Sequence, residues 1–470
     1  MKKISYFLLL LVLGLITVAG IAIDQPIKKK NKSPNLIVIM TDDMGWADVG
    51  FNGCKDIPTP NIDVIADQGV KFNEGYVSFP VCGPSRAGFL TGRYQDRFGY
   101  TTNPSIDPNN AISGLPVEEE TIAQVLNKAD YKSAIIGKWH MGTNPVFHPL
   151  VRGFDYFYGF LSGGHNYFPE NLTLNGLSEV TSKWGWYRTK IIENRENVET
   201  TDYLTDELTN SAVKYIKKQA DAGENFMVYL AYNAPHTPLQ ATEKYLSRFP
   251  NITNKKRKTY AAMVSAVDDG VGRVLQTLKD KGVDENTIIV FLSDNGGAHN
   301  NASDNGPLRG KKGDLFEGGV RVPFAMRWKG VIPEGQTYEN AVSSLDIMAT
   351  IVAQTDVKIS KERPLDGVNL IPYLTGKNKG APHDYLFWRK WEKNAMAVRY
   401  GNYKLVANSN QDTTPSELFD LSKDGAETIN IKSEHKKVVA DLTKEWNHWN
   451  AQLKDRVFPT LSGDKWWVAE

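Results

Sequence analysis

Four short apolar, largely β-branched runs punctuate the chain: Asn35-Leu-Ile-Val-Ile-Met40, Ser133-Ala-Ile-Ile-Gly137, Phe226-Met-Val-Tyr-Leu-Ala231 and Thr287-Ile-Ile-Val-Phe-Leu292. None alternates strictly with polar residues, so each reads as a strand covered on both faces, as in parallel sheets. Stretches with helical spacing lie between them. These are Pro60–Gln68, Thr121–Ala129 and Tyr260–Lys281, the last with Val264, Val267, Val271 and Leu275 at intervals of three and four. Strands alternating with helices predict an α/β fold whose mainly parallel central sheet is flanked by helices. After about residue 375 the pattern changes. Tyr385–Arg389, Ala397–Gly401 and Tyr403–Ala407 read as short strands joined by turns, and Ile431–Leu453 as a helix. The expected organisation is a large domain over 34–375 and a smaller C-terminal α+β domain with an antiparallel sheet over 376–470.

The first residues follow a different logic. Lys2 and Lys3 precede an apolar stretch from Tyr6 to Ala19, and Ala19, Gly20 and Ala22 are small enough for a cleavage site. This is the pattern of a signal peptide, assigned to 1–22, with a Lys-rich leader over 23–33. The apolar stretch is shorter than the roughly 20 residues a membrane span needs. The expectation is export to the periplasm or outside of a bacterium, with no stable membrane insertion after cleavage. N-x-S/T sequons such as those at Asn171, Asn251 and Asn301 carry little weight in that setting.

Composition narrows the function only slightly. Over 470 residues, 41% are hydrophobic, 23% are charged and the net charge is +1, as in an ordinary soluble protein. The balance argues against a nucleic-acid partner, which needs a basic excess or stripe. It leaves room for a locally basic site.

Polar residues follow three of the four apolar runs: Asp42 and Asp43, Lys138 and His140, and Asp294 and Asn295. Ligands of open α/β sheets bind at the carboxyl ends of strands, so one pocket can collect all of them. Asp42, Asp43, Asp294 and Asn295 offer oxygen ligands, which suit calcium or magnesium rather than zinc. Carboxylates crowded together repel without a cation. Gly137-Lys138-Trp139-His140, Ala234-Pro-His236-Thr-Pro238 and Arg309-Gly-Lys-Lys312-Gly313 add ammonium groups and imidazoles. Together they fit the binding of a tetrahedral oxyanion and the movement of protons.

One further motif bears on all of these. Cys82-Gly-Pro84-Ser-Arg86, followed by Leu90-Thr-Gly-Arg93, resembles the sulfatase signature. Other pieces agree, in order: D-D-M-G-W-A-D over 42–48, P-T-P-N-I-D over 58–63, G-K-W-H, G-F-D over 153–155, A-P-H, S-D-N-G-G, R-G-K-K-G and E-G-G over 317–319. The tail run Glu417-Leu-Phe-Asp-Leu421, with Asp424, Glu427 and Asn430, also resembles the family's C-terminal part. The chain thus resembles a type I sulfatase of the alkaline-phosphatase-like superfamily over nearly all of its mature length.

The resemblance implies specific roles. A formylglycine-generating maturation enzyme would oxidise Cys82 to formylglycine, whose hydrate is the nucleophile, leaving Cys54 as a small core residue. Asp42, Asp43, Asp294 and Asn295 would hold one Ca²⁺, touched also by residue 82. Arg86 would steady the hydrated aldehyde, and Lys138 and Lys312 would bind sulfate oxygens. His140 would assist the hydrate, and His236 with Lys312 would face the leaving oxygen. Lys312 is chosen over Lys311 because it directly precedes the glycine of R-G-x-K-G.

Aromatic and basic residues in 160–168, at Trp184, Trp186 and Arg188, and in 387–391 are candidate sugar contacts, with His165, Asn166, Arg188, Trp388 and Arg389 as the substrate-binding set. Arg suits a second sulfate or a carboxylate. Gly163-Gly-His-Asn-Tyr167 resembles sulfatases acting on galactose or N-acetylgalactosamine sulfates. The implied substrate is a sulfated glycan such as carrageenan, ulvan or a glycosaminoglycan fragment. Arylsulfatase action, phosphate or phosphonate ester hydrolysis within the same superfamily, and sulfated-glycan binding without catalysis are the alternatives. Intact Cys82 and Arg86 count against the last. Because a serine lacks the second hydroxyl of the hydrate, unconverted Cys82→Ser is expected to give at most one slow turnover, and steady multiple turnover in a stopped-time sulfate assay would refute that chemistry.

Overall fold

The structure is a computed structural model that describes residues 33–391, 394–407 and 417–459. The expected signal peptide, and the leader except for Ser33, lie outside the described residues. The four apolar runs form β1 (Asn35–Thr41), β4 (Lys132–Lys138), β8 (Phe226–Ala231) and β9 (Thr287–Ser293). With β2 (Val70–Phe72), β5 (Tyr156–Phe160), β6 (Ile191–Glu193), β7 (Glu196–Val198), β10 (Phe324–Arg327) and β11 (Gln336–Tyr338) they make a ten-stranded sheet in the order 11-2-10-9-1-8-4-5-6-7. Its middle, from β9 through β1, β8 and β4 to β5, is parallel. The short β10, β6 and β7 run antiparallel to their neighbours.

The period of two in β1 separates two cores. Ile37 and Ile39 face one, with residues of α1 (Pro60–Asp67), α4 (Leu204–Ala222) and α5 (Lys255–Asp280). Leu36, Val38 and Met40 face the other, with residues of α2 (Cys82–Thr91), α3 (Ile122–Asn127) and α6 (Asp346–Val352). Each fully buried aliphatic side chain contributes about 1.5–3 kcal/mol, which is why these strands need no polar face. Register then fixes the position of the site. Thr41 lies opposite Ser293, Met40 opposite Ala231 and Ala231 opposite Gly137. The carboxyl ends of four adjacent strands are therefore level.

Beyond the two-stranded pair β3 (Gly75–Tyr76) and β12 (Val342–Ser343), an antiparallel sheet of β13 (Tyr385–Lys390), β14 (Ala395–Tyr400), β15 (Tyr403–Ala407) and β16 (Glu417–Asp420) follows in sequential order. Leu442, Trp446 and Trp449 of α7 (Lys436–Asn450) cover one face, packing with Met396, Val398, Leu405 and Leu418. The helix starts at Lys436 rather than Ile431, because Asn430 and Ile431 are pinned to β16. Leu418 N donates to Asn430 Oδ1 (3.1 Å), and Ile431 N donates to Leu418 O (2.9 Å).

The other face of this sheet packs on the segment that carries Lys312. Leu386, Trp388, Ala397, Val406 and Phe419 meet Tyr76, Leu315, Phe316 and Val320. Arg309 stacks over Phe316 at 3.7 Å and donates to Glu417 (3.0 Å). Lys390 donates to the carbonyl of Gly313. At the centre Lys404, fully buried, donates to Glu317 Oε1 (2.8 Å) and pairs with Glu427 Oε1 (2.9 Å). Tyr76 donates to Glu317 Oε2, and Glu317 N donates to Glu427 Oε2, both at 2.6 Å. Burial alone would neutralise Glu317, but Lys404 holds its carboxyl below the usual range. Burial pushes Glu427 up against the pull of Lys404.

Among the described residues no helix is long and apolar enough to cross a membrane. Breaking a buried pair costs more than the pair contributes, because the orphaned charge stays buried. Lys404→Met should lower unfolding free energy by about 3–5 kcal/mol in urea titrations, with a loss under 1 kcal/mol refuting its role as the keystone of this contact.

Candidate active site

Each level strand end delivers one piece of chemistry. Asp42 and Asp43 leave β1, Asp294 and Asn295 leave β9, Lys138 closes β4 with His140 two residues on, and the turn after β8 presents His236. Asp43 and His140 hold positive φ values of 64° and 60°, conformations that non-glycine residues rarely adopt. Such strain persists where the surroundings over-determine it, often at active sites. Two glycines of the motifs have steric reasons. Gly137 has φ 112°, and a Cβ there would sit 2.0 Å from Ala231 O. A Cβ on Gly296 would sit 1.8 Å from Gly318 O, so S-D-N-G-G and E-G-G press backbone on backbone, Gly296 N donating to Gly319 O (3.0 Å).

Cys82 is the first residue of α2 and only 2% exposed. A helix start is electropositive and favours negative charge beside it. The Cys82 Sγ and carboxylate oxygens of Asp42 and Asp294 all lie within 4.8 Å of one another. Asn103 Oδ1 accepts from Gly83 N at 2.9 Å and lies 3.9 Å from Cys82 Sγ.

Three buried carboxylates face three cations. Lys138 Nζ is 2.7 Å from Asp42 Oδ2, and Lys312 Nζ is 2.7 Å from Asp43 Oδ1. Arg86 is fully buried: Nε donates to Asp294 Oδ2 (2.9 Å), and the same guanidinium donates to Lys138 O (3.2 Å) and Tyr229 Oη (3.1 Å). Burial would raise Asp42, but Lys138, with Arg86 and Lys312, holds it well below the usual carboxylate range. Burial, reinforced by Asp42, pushes Asp294 up to about 6. Burial opposes the charge of Lys312, yet Asp43 raises its ammonium well above the ordinary value.

Both imidazoles rest neutral. Burial, with Lys138 and Arg86 nearby, pushes His140 well below its ordinary value, and burial also lowers His236. His236 Nδ1 lies 2.6 Å from Thr237 O. A carbonyl only accepts, so Nδ1 carries the proton and Nε2 is left facing Asp43 Oδ2 at 3.6 Å. Tyr167 Oη lies 2.7 and 2.8 Å from the carbonyl oxygens of Asn233 and His236 and holds this turn.

These residues open into a cavity of about 870 Å³. Asp43, Cys82, His140, His236 and Lys312 line it, as do Asn166 and Arg188 of the substrate-binding set. His165, Trp388 and Arg389 do not. His165 is 1% exposed and stacked on Phe160 (4.6 Å), its pKa lowered to about 4 by burial. Trp388 is core, its Nε1 donating to Val77 O (2.8 Å), and Arg389 is buried with its guanidinium over Trp391 (4.5 Å). Cys54 is half-buried against the core and unpaired. Asn301, in one of the sequons, is fully buried and donates to Asp43 O (2.9 Å), so its amide belongs to the site's scaffold.

Comparison with known proteins settles the family. Residues 34–357 match the model of the sulfatase family, and residues 311–452 match that of the C-terminal part of N-sulphoglucosamine sulphohydrolase. The chain belongs to the sulfatase family. It is a sulfuric ester hydrolase by that membership. The mouse (Mus musculus) N-acetylgalactosamine-6-sulfatase is 34% identical over 408 residues, covering 84% of this sulfatase and 75% of the relative. The crystal structure of Ps i-CgsB superposes with a TM-score of 0.85 at 40% identity, covering 90% of this chain and 94% of that one. The same protein in complex with k-i-k-neocarrahexaose gives 0.84 at 39%, with the same coverage.

The sulfatase's oxygen cluster fits a hard cation. Asp42 Oδ1 and Asn295 Oδ1 are buried acceptors with no hydrogen-bond partner, beside the carboxylates of Asp43 and Asp294. Unmet buried oxygens of this kind are costly unless something positive fills the space between them. Metal-stripped protein should therefore gain about 2.7 kcal/mol when calcium is supplied at about a hundred times its dissociation constant. The gain reads as a higher Tm in thermal unfolding and should be lost in Asn295→Ala; a Tm of the parent chain that ignores calcium would exclude this site.

Proposed function

We propose that this sulfatase removes sulfate esters from sulfated carbohydrates, most directly galactose- or galactosamine-type sulfates such as those of carrageenan, using residue 82 matured to formylglycine. The observation that carries the reading is the position of Cys82. It stands at a helix start, within 4.8 Å of two carboxylates, and lines an 870 Å³ cavity together with His140, His236 and Lys312. A cavity of that size is far larger than one sulfate group needs and suits a sugar-sized ligand. Support for the carbohydrate comes from the names of the mouse relative and of the Ps i-CgsB complex.

Formylglycine would supply a hydrated aldehyde whose hydroxyl attacks sulfur. Calcium held by Asp42, Asp43, Asp294 and Asn295 would neutralise charge on the sulfate oxygens as the ester breaks. The chain's own residues do the rest. Lys138 and Lys312, now on Asp42 and Asp43, present ammonium groups to an entering sulfate. Arg86 acts on residue 82 through Asp294, since its guanidinium is committed to that carboxylate. His140, neutral at rest, accepts a proton from the residue-82 side. His236 is oriented by its bond to Thr237 and holds Nε2 toward the cavity, where a bound anion raises its proton affinity and lets it protonate the departing alcohol. With Cys82 buried in the folded chain, a maturation enzyme meets it before the fold closes. Export is the setting this reading favours.

The test is free sulfate released from defined galactan, ulvan and glycosaminoglycan oligosaccharides by protein co-produced with a formylglycine-generating enzyme, alongside phosphate diesters. Release from one glycan class should vanish in Cys82→Ala, and His236→Gln should lower kcat by about 10²–10⁴-fold, the usual range for a lost general acid. Phosphate release without sulfate release, from protein shown by mass to be converted, would overturn it.

A further inference from the structure

The cavity has a second region that the catalytic groups leave unused. Its wall is built by Trp184, Trp186, Tyr187 and Arg188. Trp184 is 55% exposed and sits at φ 68°, in the left-handed region that bulky residues avoid. Its neighbours fix it there. Trp186 is a buried wedge against Ile106 and Val180, and Tyr187 N donates to Trp184 O (3.0 Å). The Trp184 ring meets Trp186 at 5.2 Å and Tyr187 at 5.9 Å in edge-to-face contacts, and more than half of the residue remains exposed. Lys183 Nζ lies over this ring, 5.2 Å from its centroid, on an exposed side chain that a ligand can displace.

Arg188 is exposed at the same wall. Its Nε and Nη2 donate to one oxygen, Thr173 Oγ1, at 3.1 and 2.7 Å, which orients the guanidinium plane. Among the described residues no carboxylate pairs with it. The remaining donors of a planar guanidinium match a sulfate or carboxylate two at a time. Among the described residues lining the cavity, Asp43 is the one carboxylate, so nothing else there repels an anion.

We propose that Trp184 and Arg188 form a subsite for the sugar adjoining the one that is desulfated, Trp184 stacking on its ring and Arg188 binding an anionic group that it carries. This rests on the carbohydrate-sulfatase reading above. A cavity of 870 Å³ has room for more than one ring. An exposed aromatic held in a strained conformation beside an oriented, uncommitted arginine is arranged for a ligand rather than for packing.

The test uses the converted full-length protein and three oligosaccharides that share the scissile sulfated sugar. The neighbouring sugar carries a sulfate, a carboxylate or neither. The parent enzyme should prefer a charged neighbour. In Arg188→Ala the ratio of kcat/KM for the charged over the neutral neighbour should fall about tenfold, the loss expected for one charged hydrogen-bonded pair, and the fall should lie in KM. Arg188→Lys should restore part of it, and Trp184→Ala should raise KM for all three. Whether the sulfated or the carboxylated neighbour responds more identifies the anion. An unchanged ratio in Arg188→Ala, with all three still turned over, overturns the subsite and leaves the carbohydrate reading standing. No sulfate from any of the three with the parent enzyme overturns both.

Discussion

Three buried carboxylates gathered at the ends of two neighbouring strands set the terms for the rest of this molecule. Asp42, Asp43 and Asp294 cannot all stay ionised in a dry interior without positive charge beside them. That charge comes from three separate parts of the chain: Lys138 at the end of β4, Arg86 on α2 and Lys312 on the segment after β9. The demand for neutrality thereby fixes where each of those parts lies. Burial keeps the imidazoles of His140 and His236 neutral, and at His140 the neighbouring Lys138 and Arg86 add to it.

The same demand reaches outward. Lys312 is placed by a segment that has little regular structure of its own, and its firmness is borrowed from the four-stranded sheet. Lys390 and Glu427 hold its backbone, Lys404 holds the Glu317 carboxylate, and Phe419 and Trp388 pack beneath it. The centre also tolerates backbone strain at Asp43 and His140, which the level strand ends and dense hydrogen bonding can absorb. Stability gathered in the two sheet cores is what permits an electrostatically crowded, conformationally unusual rim.

Much of this was legible in the residues. The four apolar runs predict β1, β4, β8 and β9 to within a residue or two, because a strand buried on both faces leaves an unmistakable composition. The residues that follow them meet as expected, because level strand ends leave little freedom. What escaped has equally physical reasons. β5, Tyr156-Phe-Tyr-Gly-Phe160, is aromatic with a glycine and does not stand out as a strand. α4 carries a clear stripe of Leu204, Leu208, Ala212 and Ile216 within a polar segment that is not singled out in the sequence reading. Asn103 belongs to no motif and is brought to Cys82 by tertiary structure alone. Trp388 shows the limit of composition: an aromatic beside an arginine looks the same whether it faces sugar or core. Both faces of β13 are covered, one by the Lys312 segment and the other by α7, so Trp388 has no open side.

The dependence of Lys312 on β13 to β16 places the finishing of the centre late in the life of the chain. Every carboxylate of the cluster, and Lys312 itself, is synthesised before Lys390, Lys404 and Glu427. A nascent chain that has reached residue 380 holds the three carboxylates, Cys82, both imidazoles and all three cations of the centre, yet lacks the residues that support Lys312 against Asp43. The support of Lys312 is thus the last part of the centre to be synthesised.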